Sequence, residues 1–339
     1  MIISFISWAR YQRRTARIAE QLGATAHFIR CGRGGRPLTA PKRYYQQARK
    51  TWAALRQDRP DVILVQNPPL PLVLLADVYC RLRGARYIID SHTGAFVSSP
   101  WRQFLWLHRL LSRRALTTLV HNWAQGDVVK TWGCPWMELI GCPLSLPPPE
   151  PVSLEGAFRV LVASSFDADE PVRDVIAAAR LTPRVHYYVT GDPSRLDPRV
   201  LGDLPPNCHF TGYLSYEDYM RHMQSVDAVM ALTTRDGTLL QAAWEGIALG
   251  RPLILSDWPV LRSYFYAGTV HTANRAASIA QAVQIAEADL PNLRQGIADL
   301  QEELEATWRK QFADLQRQIS AAAKSTAADR PWKRAPGTG

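Results

Sequence analysis

Short apolar runs alternate with longer segments of three- and four-residue apolar spacing along most of the chain. The first is residues 2–7, an apolar run of strand length. Residues 13–22 carry a helical period and stop at Gly23, a residue suited to the left-handed conformation that closes a helix. Further strands are predicted at 25–30, 61–66 (DVILVQ), 86–90 (RYIID) and 117–121. Helices are predicted at 42–58, 72–83 (ending at Gly84) and 101–115. Strand and helix in strict alternation predict a parallel sheet with helices on both faces.

The alternation stops at CPLSLPPPEP, where Pro147, Pro148, Pro149 and Pro151 favour a stiff, extended connector. It then restarts. Strands are predicted at 158–163, 185–190, 208–211, 228–232 and 252–256, and helices at 171–180, 216–225 and 238–249. Residues 292–324 form one long helical pattern, with Leu293, Ile297, Leu300, Leu304, Trp308, Phe312, Leu315 and Ile319 three or four apart. The expected organisation is an α/β domain over 1–143, a proline-rich linker over 144–156, a second α/β domain over 157–290, a long helix over 291–324 and a disordered tail over 325–339. Two doubly wound, Rossmann-like domains in tandem are expected to face a central cleft, with ligands at the carboxyl ends of their strands.

The bulk properties agree with this organisation. A chain of 339 residues with 47% apolar content can bury two cores. The formal charge of +10 suggests a polyanionic or phosphorylated partner or an anionic membrane. Nucleic-acid binding is not expected, because no zinc-finger or RNA-recognition signature accompanies the charge. Cys31, Cys80, Cys134, Cys142 and Cys208 are odd in number and scattered, which predicts free thiols in a reducing compartment. The amino terminus places its apolar run before its arginines, the reverse of a signal peptide. No apolar run reaches the ~20 residues that span a bilayer. A cytoplasmic protein is expected, soluble or peripheral on the inner face of the membrane. The segment WRQFLWLHRLLSRR (101–114) mixes aromatics with arginines, a composition that suits either an anionic membrane surface or a buried helix with a basic edge.

Three segments carry a resemblance. DVILVQNPPLPLVLLADVYCRLRGARYIIDSH (61–92) and SSFDADEP (164–171) resemble the first and second domains of the dolichol-linked chitobiose β-1,4-mannosyltransferase family. EGIALGRPLILSDWPVLRSYF (245–265) is similar to the carboxyl-terminal signature of the wider GT4-like glycosyltransferases. The resemblance implies a GT-B fold and transfer of a hexose from a nucleoside diphosphate sugar to a glycan or lipid-linked acceptor in glycoconjugate synthesis. It implies no bound cofactor and no metal ion, the nucleotide sugar being a co-substrate. No metal-ligand spacing is visible, and Asp167-Ala168-Asp169 reads as a helix start.

The same resemblance places Glu245 on the nucleotide ribose and His92 in the active site. The predicted helix start at Thr238, after Asp236 and Gly237, offers free N–H groups to a diphosphate, with Leu239 beside it. The family often carries a second glutamate eight residues before the first, at the donor sugar. Gly237 stands there instead, with Asp236 one residue away, which leaves an inverting mechanism or an inactive enzyme open. His92 at a strand end can take a proton from an acceptor hydroxyl, since an imidazole titrates near neutrality. Asp90 is the alternative base, or orients His92. Ser164 and Ser165 are placed to bond phosphate, the acids 167, 169 and 170 to cap the next helix, and Gly191 to border the base. Arg10, Arg13 and Arg14 are candidates for an acceptor diphosphate, and Asn122, after His121, is a weaker acceptor-side candidate. Gly32, Gly34 and Gly35 do not form a dinucleotide fingerprint and read as a loop. A nucleotide-sugar epimerase and a non-catalytic partner of the same fold are the rival readings.

Overall fold

The computed structural model describes residues 1–32, 39–141 and 150–328, with side chains to residue 324. Two compact units divide the chain. One comprises Met1–Cys142 with Trp308–Gly339, the other Pro143–Thr307.

In the first unit the strands are β1 (Ile3–Ser7), β2 (Thr25–Phe28), β3 (Val62–Asn67), β4 (Arg86–Ser91), β5 (Thr117–Val120) and β6 (Trp136–Glu138). They form one sheet in the order β2-β1-β3-β4-β5-β6, parallel throughout. Both faces of β1 and β3 are buried, so these strands read as unbroken apolar runs rather than as alternation. Helices α1 (Arg13–Leu22), α2 (Ala40–Asp58) and α3 (Leu70–Arg83) connect the first four strands. Gly23 and Gly84 close α1 and α3 at φ of 60° and 65°. Ile6, Ile63, Val65, Leu72, Val73, Tyr87 and Ile89 lie in the main core cluster.

The single helix predicted at 101–115 is broken. After a short α4 (Gly94–Val97), two short helices, α5 (Ser99–Arg102) and α6 (Leu105–Ser112), take its place, and Phe104 leaves the helical region at φ −107°, ψ 21°. The break lets Trp101 pack on the main core while Leu105 packs on a second cluster around Phe96, Val120 and Trp132. α7 (Trp123–Lys130) and β6 follow without having been predicted.

In the second unit the strands are β7 (Phe158–Val162), β8 (Val185–Thr190), β9 (Cys208–Gly212), β10 (Ala228–Ala231), β11 (Leu253–Ser256) and β12 (Thr269–Thr272). Their order is β12-β11-β10-β7-β8-β9, again all parallel. The connecting helices are α8 (Val172–Leu181), α9 (Pro198–Leu201), α10 (Tyr216–Ser225), α11 (Gln241–Ala248), α12 (Pro259–Tyr264) and α13 (Ala276–Ala288). Each sheet reverses its winding once, between β1 and β3 and between β7 and β10. Ligands in such sheets bind outside the carboxyl ends of the strands at that point.

The predicted long helix is α14 (Leu290–Ala328), and it is not a separate domain. It begins in the second unit and ends in the first, where Gln311 Oε1 accepts from the Ile140 amide at 3.0 Å. Residues 144–149 of the predicted linker and the glycines at 34 and 35 lie outside the described residues, as does the predicted tail beyond residue 328. Among the described residues, no helix is long and apolar enough to cross a membrane. The four described cysteines, Cys31, Cys80, Cys134 and Cys208, are free.

Candidate functional site

Two groups of polar side chains lie at carboxyl strand ends, one in each unit. In the first unit the centre is Asp90, near the end of β4 and fully buried. A buried carboxylate is costly unless donors surround it. Here Arg14 Nε (3.3 Å) and His121 Nε2 (3.2 Å) face Oδ1, and His92 Nε2 (3.2 Å) faces Oδ2. Burial alone would raise the pKa of this group, but Arg14 and the two imidazoles hold it well below the usual carboxylate range. Burial, followed by Arg14 and His92, pushes His121 down to about 3, so it is a neutral donor. Asp90 is therefore held ionised, as a hydrogen-bond acceptor for all three neighbours.

Arg14 reaches Asp90 from α1 and also donates to the carbonyls of Ile140 and Leu139, both at 2.7 Å. These bonds commit its guanidinium to the interior, away from the acceptor-phosphate role expected of it. Arg10 is exposed and Arg13 half-buried on the same stretch. Asn122 is buried, and its side-chain oxygen accepts from the Gln125 amide at 3.0 Å, capping α7.

His92 keeps 19% of its side chain exposed. Its backbone amide donates to Asn67 O at 2.8 Å, fixing the strand end. Gln12 Oε1 accepts from the Thr15 amide and hydroxyl, which turns the Gln12 Nε2 group toward His92 Nδ1 at 3.4 Å. With Nε2–H donating to Asp90, the lone pair of His92 lies on Nδ1. His121 packs edge-on against His92, with ring centroids 4.3 Å apart. Gln12 and the full part played by His121 were missed in the sequence. The only available signal was their position directly before α1 and directly after β5.

Although the sequence shows no metal-ligand spacing, the fold assembles, among the described residues, two three-residue clusters able to approach a cation. Asp90, His92 and His121 form one, and Glu155, His186 and His209 the other. In the first, Arg14 already supplies the positive charge.

After the ends of β1 and β3, where the first sheet reverses its winding, lies a cavity of about 250 Å³ lined in part by Trp8, Pro68, Tyr44, Trp101, Arg43 and Gln47. Gln47 is buried, with Nε2 bonded to Ile29 O at 2.9 Å and Oε1 unpartnered.

In the second unit the corresponding strand ends carry Ser164, Thr190, Thr233 and Ser256. Ser164 Oγ (2.6 Å), Ser165 N (2.9 Å), Ser165 Oγ (3.0 Å) and Asp167 N (3.3 Å) all donate to the Glu170 carboxylate. The expected capping of α8 by the acids is not made, because Glu170 turns back into this loop. Asp169 instead accepts from Thr233 Oγ1 at 2.8 Å and pairs with Arg235 at 3.2 Å. Gly191 has φ 110°, and a Cβ there would stand 2.7 Å from Ser164 O, so only glycine lets β8 approach the loop this closely.

The helix expected from Thr238 begins at Gln241. Gly237 at φ 74° turns the chain, the Asp236 carboxylate accepts from its amide at 2.6 Å, and Leu240 is extended. Thr238 and Leu239 thus precede the helix rather than open it. Glu245 lies one turn inside α11, not two, and is 4% exposed, with Gln241 Nε2 at 3.3 Å from Oε1. Trp244 is core, edge-on to Phe265.

Residues 4–136 match the family of glycosyl transferase 4-like domains. The glycosyl transferase 4-like segment thus covers nearly all of the first unit's sheet. No curated protein matches the chain by sequence. Solved structures match over almost the whole length. Sucrose-phosphate synthase from Thermosynechococcus elongatus superposes with a TM-score of 0.74 at 13% identity, covering 97% of this chain and 100% of its own. Anabaena HepE in complex with UDP-glucose gives 0.66 at 13% identity, covering 96% and 100%. A UDP-N-acetylglucosamine 2-epimerase assignment from Listeria monocytogenes gives 0.62 at 13% identity, covering 97% of each. At these identities the likeness establishes the fold, two parallel α/β units of GT-B type, and not the reaction.

Proposed function

We propose that the protein transfers a sugar, a hexose by the resemblance, from a nucleoside diphosphate sugar to an acceptor hydroxyl. The observation that carries this reading is His92. It is partly exposed, anchored on a buried ionised carboxylate, and has the Nδ1 lone pair directed away from that anchor. In the step envisaged, the acceptor oxygen bonds to the anomeric carbon as the bond to the diphosphate breaks. The diphosphate leaves with the electron pair, and the acceptor proton passes to His92 Nδ1. Donor recognition is assigned to the second unit. Glu245 suits a ribose diol, and the leading amides of α11 suit the diphosphate. Ser164, Ser165, Gly191 and the 236–239 turn border that site.

The test is a thermal-shift panel of UDP, GDP, TDP and CDP on the wild type and Glu245→Ala. A ligand at 100 times its dissociation constant adds about 2.7 kcal/mol. One nucleotide is expected to stabilise the wild type and to lose that effect in the variant. No response to any of the four would sink the reading. The Listeria likeness favours one rival, epimerisation of the nucleotide sugar, and sugar analysis of the products formed without acceptor separates the two.

The acceptor is proposed to be a glycan or lipid-linked intermediate at an anionic membrane. In the first unit, Phe104, Trp106 (65% exposed) and Leu110 stand out on and before α6, and Leu74, Val78 and Leu82 on α3. Arg102, Arg109, Arg113 and Arg114 are exposed around them. Wedge-like aromatics with a basic rim suit anionic headgroups. Co-sedimentation with phosphatidylglycerol vesicles is expected at low salt and lost in Trp106→Glu. Equal recovery of both proteins in the supernatant would remove the membrane from the proposal.

A further inference from the structure

Away from the carboxyl strand ends, His186 is the second residue of β8 and His209 the second of β9. His186 and Tyr188 alternate with Tyr187, which faces the core, so they occupy the opposite face of the sheet. His209 lies opposite Tyr188 in register, and the two rings stack at 4.9 Å. His186 Nδ1 and His209 Nε2 face each other at 3.0 Å. A Glu155 carboxylate oxygen completes a set whose ligand atoms all lie within 4.8 Å of one another.

We propose that Glu155, His186 and His209 form a binding site for a zinc-type divalent ion that fastens the segment before β7 onto the β8–β9 edge. Tetrahedral zinc holds nitrogen ligands at about 2.0–2.1 Å. Two such nitrogens then stand about 3.4 Å apart, so the imidazoles need part by only a few tenths of an ångström. Two imidazoles and one carboxylate are a borderline donor set that suits zinc over calcium or magnesium. Water would complete the coordination. The proton now shared between the facing nitrogens would move to the far nitrogen of its own ring.

The surrounding backbone is shaped to this arrangement. Tyr188 OH donates to Glu155 O at 3.0 Å, holding the segment down. Gly156 sits at φ 99°, where a Cβ would come within 2.6 Å of the His186 ring. The chain is thus pressed flat on the imidazole, and glycine is required for it. Arg159, paired with His186 in the adjacent strand, does not oppose a cation here. Its guanidinium is turned onto Asp227, at 3.0 and 3.3 Å.

The experiment is zinc titration of the metal-stripped full chain against a chromophoric chelator, with Co²⁺ absorption as a second readout. One zinc equivalent is expected. It should be lost in His209→Gln, weakened at least about tenfold in Glu155→Gln, and kept in His92→Gln. Glu155 is exposed, so its variant tests the site even if the histidine variant fails to fold. Absence of stoichiometric zinc in the wild type, or equal affinity in the wild type and Glu155→Gln, overturns the proposal and leaves a neutral histidine hydrogen bond. Loss of the ion in His92→Gln alone would assign it to the Asp90 cluster and overturn the proposal equally.

Discussion

Alanine at His92 is expected to lower transfer about 10²- to 10⁴-fold, the usual contribution of a positioned acid–base group. Nucleotide binding should be unchanged. The expectation follows from the division of contacts within the first unit. His92 takes its orientation from Asp90 and Gln12, and its Nδ1 lies on the ring edge turned away from Asp90. The depressed pKa values of Asp90 and His121 make both weaker proton acceptors than an ordinary carboxylate or imidazole. Initial rates of product formation, read beside nucleotide thermal shifts, distinguish a chemical loss from a binding loss. Unaltered rates would remove His92 from the mechanism. Asn at His92 should be about as inactive as Ala, because an amide cannot accept the proton.

The largest effect on stability is expected from Arg14→Met. Removing one partner of a buried ion pair leaves the other charge uncompensated, at about 3–5 kcal/mol. Asp90 has no water to turn to, and the carbonyls of Leu139 and Ile140 lose their donor in the same change. The sign of the pH dependence follows from the depressed pKa of Asp90. A carboxylate whose folded value lies below its unfolded value of about 3.9 stabilises the fold above that value. That contribution is lost as pH falls through the folded value. In the variant the carboxylate protonates more readily, so the gap between wild type and variant should narrow below about pH 4. Urea denaturation at pH 7 and near pH 3.5 measures both. A pH-independent gap would show that packing of the arginine stem, not its charge, is the cause.

The fold was legible wherever one physical signal dominated. The apolar runs of β3, β4 and β8 are buried on both faces, and Gly23 and Gly84 mark helix ends by the conformation they alone adopt easily. The errors fall where tertiary contacts override local pattern. The period across 101–115 is helical, yet Trp101 and Leu105 serve different cores and the helix breaks between them. α11 starts three residues after the predicted Thr238, because Gly237 takes a left-handed turn and Leu240 stays extended. Asp90 and His92 were visible as a polar pair after an apolar strand. Their partners were not, since Arg14 is 76 residues from Asp90 and His121 is 31 away. Spacing reveals ligand sets only when they share an element, and the His186–His209 pair, brought together by strand register, shares none.

The passage of α14 from the second unit to the first has a consequence for biosynthesis. Trp308, Phe312, Leu315 and Ile319 are buried, and they belong to the unit that begins with Met1. A ribosome therefore completes the chain of the second unit, through Thr307, before it has delivered all of the first. The amino-terminal sheet emerges early but waits for the residues from Trp308 onward until the second unit has been made. Such a nascent sheet is an aggregation hazard and a natural client for a chaperone. A stop codon shortly after residue 307 would spare every strand and still leave the earlier-made half of the protein the less stable one.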